Sequence, residues 1–472
     1  MTLYQTLNLA VIQIKILFLF KKKTNLLFLL SYLFNMRFFL FFIIIFFSKV
    51  AFAEFKPQHY TLKNGLEIVV IENNKVPAVA HSIWYKVGSA DEPIGKSGIA
   101  HFLEHLMFKG TDKLKPGEFS QIVSINGGKE NAFTSKNYTG YFQLIHKSKL
   151  DLIMSLESDR MKNIKLLEKE FENEKTVVLE ERYSRIDNNP SALLSEQINS
   201  TLFMNHPYRR PIIGWEHEIK DLTLNDVMEF YKKFYAPNNA IIVVSGDVNL
   251  REVVELAKKH FGKIKSSEID KRSWTNEPTQ HAPRGVILKS RNTAIPVFKR
   301  HYLVPTYTKS KKEALALEVF SEMFGHPSTG MLFEEFVKNK KLARSASAYY
   351  FPDGFGDTSF IISIVPKKEV TLNEIESHLD KYLDEIRKKI FNKEELQKIK
   401  KRLINQTIFA QDSLYMGMRI FGSSLTTGYS LNEITNWPND IKKVSITDLE
   451  NILLKMFDIN KSVTGYLLPV EE

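Results

Sequence analysis

Two segments of the chain, 222 residues apart, follow one plan. "LTLNDVMEFYKKFYAPNNAIIVVSGDV" starts at Leu222 and "VSITDLENILLKMFDINKSVTGYLLPV" at Val444. Asp226 answers to Asp448, Tyr235 to Phe457 and Asn238 to Asn460 in constant register. Each copy reads as a short amphipathic helix, a turn and a buried strand. Register held over such a length points to a duplicated unit. Around both copies, strand-like and helix-like stretches alternate, so the expected fold is α+β, with two homologous domains at 54–265 and 286–472. The polar run "SSEIDKRSWTNEPTQHAPRG", residues 266–285, reads as the linker between them.

Within the first half, "YTLKNGLEIVVIENN" predicts a hairpin turning at Asn64-Gly65, and "AVAHSIWYKVGS" predicts a further strand. "GKENAFTSKNYTGYFQLI" is rich in Thr, Tyr and Phe and reads as strand. Residues 147–188 carry apolar residues at helical spacing among charges, and "NNAIIVVSGDV" reads as a buried strand.

The first 53 residues are read apart from the fold. Met36 and Arg37 open a short positive start, an apolar run follows, and Ala51-Phe52-Ala53 supplies a small-residue cleavage pattern. Residues 36–53 therefore read as a secretory signal. Residues 1–35 read as an extension ahead of the true start. The competing reading is an uncleaved membrane anchor, against which Arg37 interrupts the apolar stretch. The expected location is periplasmic or otherwise exported, with membrane attachment only through an uncleaved N-terminus.

The formal charge is +11, but six basic residues and no acidic ones lie in 1–53, which leaves +5 on the rest. No Arg-rich or phosphate-binding motif accompanies that mild excess, so no nucleic-acid partner is expected. There are no cysteines. Stability must come from the core, and any metal must be held by histidine and carboxylate.

"GIAHFLEHLMFKGT" supplies such groups. On a helix, His101 and His105 stack one turn apart, with Glu104 beside the second. Two imidazoles and a carboxylate at that spacing suit a zinc ion and a general base. The bland alternative is a pair of buried, hydrogen-bonded histidines. The corresponding helix of the second half, "ALALEVFSEMFG", carries Glu322 but no histidine pair. A third ligand must come from elsewhere. In "EFENEKTVVLEERYSRIDNNP", Glu174 and Glu181 share a face two turns apart, whereas Glu180 points away. A solvated, charged helix would look much the same.

Taken together, these residues resemble the pitrilysin (insulinase) family of zinc peptidases. The likeness is greatest to the short bacterial members similar to the catalytic subunit of mitochondrial processing peptidase. The inverted H-x-x-E-H motif is His101, Glu104 and His105. The family's downstream glutamate falls 76 residues past the second histidine, at Glu181, in an E-x₆-E pattern with Glu174. Gly127-Gly128-Lys129-Glu130-Asn131-Ala132-Phe133-Thr134 matches its GG-x-x-NA-x-T strand, and "HPYRRPIIGW" from His206 matches its HPY segment.

The resemblance implies one zinc per chain held by His101, His105 and Glu181, with Glu174 in support. It implies Glu104 as the base that activates water for peptide hydrolysis, and Asn131, Ala132, Phe133 and Thr134 as a substrate-pairing strand. It also implies mostly antiparallel sheets packed with helices, closing a clamshell chamber around unfolded peptides or protein segments. One departure stands out. The arginine and tyrosine that many relatives carry in the second half align with Val337 and Arg344 here. A heterodimer with a metal-less homologous subunit that supplies them is therefore expected. The alternatives are a non-catalytic assembly subunit and a peptide-binding module on the same fold.

Overall fold

The computed structural model describes residues 55–470. The targeting segment read in residues 1–53 lies outside them. Among the described residues, no helix is long and apolar enough to cross a membrane.

β1 (Pro57–Thr61) and β2 (Glu67–Glu72) form the hairpin expected at Asn64-Gly65, with Gly65 at φ +86°. β3 (Ala78–Tyr85) follows. The stretch read as one strand is instead two, β4 (Lys129–Thr134) and β5 (Thr139–His146). The Ser135 amide donates to the Tyr138 carbonyl at 2.8 Å and closes a tight turn. That turn has no glycine or proline, so the sequence runs through it without a visible break. β6 (Ala240–Gly246) completes a six-stranded sheet of order β1-β2-β6-β3-β5-β4.

The second half builds the same sheet. β7 (Arg284–Ser290), β8 (Val297–Pro305), β9 (Ala343–Tyr350), β10 (Asp357–Pro366) and β11 (Ser462–Pro469) lie in the order β7-β11-β8-β10-β9. Strand for strand this repeats β2-β6-β3-β5-β4. In each sheet one pair is parallel, β2 with β6 and β7 with β11, and the other pairs are antiparallel.

The duplicated segments coincide down to their caps. Thr223 and Asp226 form a capping box at the start of helix Leu224–Phe234, as do Ser445 and Asp448 at helix Ile446–Met456. Each helix leads through a short 3₁₀ turn, Pro237–Asn239 or Ile459–Lys461, into the central strand β6 or β11.

β6 is buried throughout because both of its faces are covered. Ala240, Ile242 and Val244 face the first core. Ile241 and Val243 face Met418 and Phe421, which lie on helix Leu414–Thr426 of the second half. The exchange is mutual: Leu194, Ile198 and Leu202 of helix Pro190–Leu202 pack on Val463 and Leu467 of β11. A glycine makes room at each contact. A Cβ on Gly422 would sit 1.9 Å from Trp84, and one on Gly465 would sit 2.2 Å from Ile198. From Glu54 onward the two halves accordingly form one compact unit.

The polar stretch between the halves has neither helix nor strand before β7 begins at Arg284. It is nonetheless tied down. Arg272 forks onto Asp91 at 3.0 and 2.6 Å and also reaches the Asn137 carbonyl at 2.7 Å. Glu277 accepts from the amides of Met204, Asn205 and His206.

Candidate active site

The motif occupies helix Ile99–Leu106. Phe102, Leu103 and Leu106 enter the first core, which turns His101, Glu104 and His105 together toward a cleft. Buried Glu92 accepts from the Ala100 amide at 3.1 Å, at the helix's positive end. The two imidazoles lie 4.7 Å apart between ring centroids.

Glu181 arrives from helix Glu168–Arg182. Its Oε2 lies 3.2 Å from His105 Nε2 and 3.6 Å from His101 Nε2. That oxygen is buried and has no hydrogen-bond donor. One ligand atom from each of the three residues falls within 4.8 Å of the others. Three lone-pair atoms converging on one point, one of them an orphaned carboxylate oxygen, form a donor set that a cation satisfies. Two imidazoles and a carboxylate suit zinc and leave a coordination position for water.

The electrostatics agree. Burial, and then the neighbouring His105, hold His101 down to about 4, so it is a neutral lone-pair donor at ordinary pH. Burial opposes charge on His105, but the Glu174 and Glu181 carboxylates outweigh it and raise the ring to about 9. The two carboxylates thus set up a field around the ring that favours a bound cation.

Glu174 lies two turns before Glu181 on the same face and is buried, whereas Glu180 is exposed. His105 donates from Nδ1 to Glu174 Oε1 at 2.9 Å, which leaves Nε2 for the metal point. Lys109 holds the other Glu174 oxygen.

Glu104 is not among the converging ligands. Thr134, at the end of β4, donates from its hydroxyl to Glu104 Oε2 at 2.6 Å. Burial raises Glu104 to about 6, although the Thr134 hydroxyl pulls the other way.

β4 pairs only with β5 and is the free edge of its sheet. Its side chains alternate. Ala132 packs on the first core and Thr134 reaches Glu104. On the other face, Phe133 packs at a tilt against Trp84, 4.9 Å between centroids. Asn131 is exposed, and its Oδ1 accepts from the Ala132 amide at 2.8 Å. All four line the cleft, which has a volume of about 990 Å³.

Several residues here were not singled out from the sequence. Buried Arg182 donates to Glu196 at 2.8 and 3.1 Å and to the Gly214 carbonyl at 2.8 Å. It fastens the helix carrying Glu181 to helix Pro190–Leu202. Tyr208, in the His-Pro-Tyr segment, lines the cleft and donates to Asn137 Oδ1 at 2.7 Å. Lys136, at the tip of the β4–β5 turn, also lines it. No local pattern marks Arg182 or Lys136, and the His-Pro-Tyr match marks Tyr208 without giving it a role at the cleft.

Among the described residues, those that line the cleft run from His101 to Ile213, within the first half. Val337 packs against the second core and Arg344 is exposed on β9. Tyr350 donates to the Pro305 carbonyl at 2.7 Å, well occupied in its own sheet. On helix Lys311–Gly325, the counterpart of the motif helix, Glu322 pairs with Arg402.

Fold and site define a two-domain metallopeptidase architecture built on an inverted H-x-x-E-H motif. The family description "Insulinase (Peptidase family M16)" matches residues 68–216, and "Peptidase M16 inactive domain" matches residues 221–403. The chain is 32% identical over 422 residues to the zinc protease PqqE of Helicobacter pylori, covering 88% of this chain and 93% of that protein. A crystal structure of a protease from Helicobacter pylori superposes with a TM-score of 0.83 at 32% identity, covering 88% of this chain and all of that one. Mitochondrial-processing peptidase subunit beta of Dictyostelium discoideum is 24% identical over 420 residues, 86% of this chain and 87% of that protein. The chain belongs to the insulinase family of zinc peptidases.

Proposed function

We propose that this chain is an exported zinc endopeptidase that hydrolyses peptide bonds in unfolded peptides or protein segments. The observation that carries the reading is the Glu104 carboxylate. It is anchored by Thr134 of the edge strand, lies beside the His101–His105–Glu181 donor set, and does not belong to that set.

His101, His105 and Glu181 hold the metal, one ion per chain, and Glu174 fixes the orientation of the His105 ring. Zinc bound there supplies Lewis acidity, which makes water acidic near neutral pH and polarises a peptide carbonyl. Glu104 takes the proton from the attacking water and returns it to the departing amine. A carboxyl raised to about 6 suits both transfers near neutrality. An extended peptide lies along Asn131–Thr134 as an added strand, so that its backbone, rather than any one side chain, is gripped.

A metal-less homologous subunit completes the enzyme. Its role is supported by Val337, packed against the second core where relatives place an arginine, and by a cleft whose lining, among the described residues, comes from the first half. Export rests on the signal-like stretch 36–53, with membrane attachment only if that stretch is retained.

The test is hydrolysis of a quenched unfolded peptide by the metal-loaded chain, alone and mixed with a metal-less relative. Activity should vanish on chelation, return with zinc and rise sharply in the mixture. Full activity from a lone monomer contradicts the partner. A zinc-loaded chain that cleaves nothing in either state contradicts the peptidase.

A further inference from the structure

Four basic residues line the cleft: Lys136, Arg185, Arg209 and Arg210. Three of them are engaged. Arg185 pairs with Glu181 at 2.8 Å, Arg209 donates to the Met204 carbonyl at 2.9 Å, and Arg210 donates to the Glu92 and Pro93 carbonyls at 2.9 and 3.1 Å. Lys136 has no such partner. Among the described residues no carboxylate forms an ion pair with it. Its Nζ sits over two ring faces instead, 4.8 Å from the centroid of Tyr208 and 5.3 Å from that of Phe203. The third lining glutamate, Glu196, is already held by Arg182.

The ammonium is placed by a rigid frame. The Lys136 carbonyl accepts from the Ala90 amide at 2.8 Å, and the next residue, Asn137, is held by Tyr208 and Arg272. Lys136 follows Thr134, which touches Glu104, by two residues. It therefore stands just past the end of the edge strand, at the turn that leads into β5. Burial also pulls Lys136 down to about 8, the cost of holding an unpaired charge there.

We propose that Lys136 is a specificity-determining residue that receives a carboxylate of the bound peptide where the peptide passes the end of the edge strand. The inference rests on the peptidase reading and adds a substrate class to it: acidic segments are preferred. A carboxylate supplies the acceptor that this amine lacks, and a charge-assisted bond inside a partly closed cleft is stronger than one in water. The same chemistry comes from an Asp or Glu side chain or from a peptide's C-terminal carboxylate.

The experiment measures binding, not turnover. The full chain in its Glu104→Gln form, loaded with zinc, is titrated with fluorescent extended peptides by anisotropy. One series moves a single Glu along the peptide, each with its Gln isostere. Another compares free-acid with amidated C-termini. One Glu position should bind about tenfold more tightly than its Gln isostere. Lys136→Met should erase that difference and leave the Gln peptides within about twofold, while Lys136→Arg should keep most of it. A preference seen only with free-acid peptides assigns the terminal carboxylate; one kept in amidated peptides assigns the side chain. Equal binding of Glu and Gln peptides, or an equal loss for both in Lys136→Met, overturns the inference and leaves the peptidase reading standing. Failure of every peptide to bind, both to the chain alone and with a metal-less relative added, brings down both.

Discussion

His105 Nδ1 and Glu174 Oε1 lie 2.9 Å apart, and Lys109 holds the far oxygen of the same carboxylate. The ring is therefore held with Nε2 toward Glu181. Glu174→Ala should weaken zinc binding by about 10- to 100-fold, the usual effect of removing a carboxylate behind a metal-binding histidine. Competition against a chromogenic chelator measures it. Unchanged affinity would make Glu174 an ordinary buried helix residue.

Arg182 and Glu196 form a buried pair that joins the Glu181 helix to helix Pro190–Leu202. Arg182→Met leaves the Glu196 carboxylate buried without its partner. The expected loss is about 3–5 kcal/mol of unfolding free energy, read by urea denaturation. Glu181→Gln, which leaves that pair intact, should cost far less stability and far more zinc affinity.

The interlock of the halves gives a packing prediction. Gly422→Ala drives a methyl group into Trp84, which is fully buried in the first sheet. The strain should cost about 1–3 kcal/mol. Trp84→Phe in the same chain should return part of it, because a smaller ring vacates the contact. If Gly422→Ala is neutral, the second-half helix does not sit on the first sheet as described.

Acid should loosen the fold through two buried histidines. Burial, and then nearby Lys136, hold His206 at about 4; burial, and then Lys299 and Lys136, hold His301 at about 3. Both lie below the ordinary value of 6.5. The unfolded chain therefore takes up protons first as pH falls. Their share of stability is whole above about pH 6.5 and is lost progressively toward pH 4 and below. His301 has no hydrogen-bond partner at either ring nitrogen. His301→Leu should thus cost little at pH 7.5 and flatten the acid slope. Denaturation midpoints across pH 7.5 to 4.5 check both points.

What the sequence revealed and what it hid divide along physical lines. The duplicated segments are legible because capping boxes and a buried strand are local, and Thr223–Asp226 and Ser445–Asp448 write them out in place. His101, Glu104 and His105 are legible because a helix brings i and i+4 together. Glu181 needed a family resemblance, because no local rule selects one glutamate among several on a charged helix. The β4–β5 hairpin reads as one strand in the sequence, since Ser135–Tyr138 turns without glycine or proline. Arg182 and Lys136 stay hidden because partners such as Glu196 and Phe203 lie far along the chain or show no motif, and the His-Pro-Tyr match marks Tyr208 without showing that it meets Asn137. The exchange of helices between the halves is a tertiary fact with only Gly422 and Gly465 as traces.

The most direct measurement concerns Glu104. Wild-type and Glu104→Gln chains are compared for zinc content and for cleavage of a quenched unfolded peptide, each alone and with a metal-less relative. The variant should hold as much zinc as the wild type and cleave about 10²- to 10⁴-fold more slowly, the usual contribution of a positioned acid–base group. A variant that cleaves as fast as the wild type would contradict the role given to Glu104. A zinc-loaded wild type that cleaves nothing in either pairing would mean that the fold serves binding rather than hydrolysis.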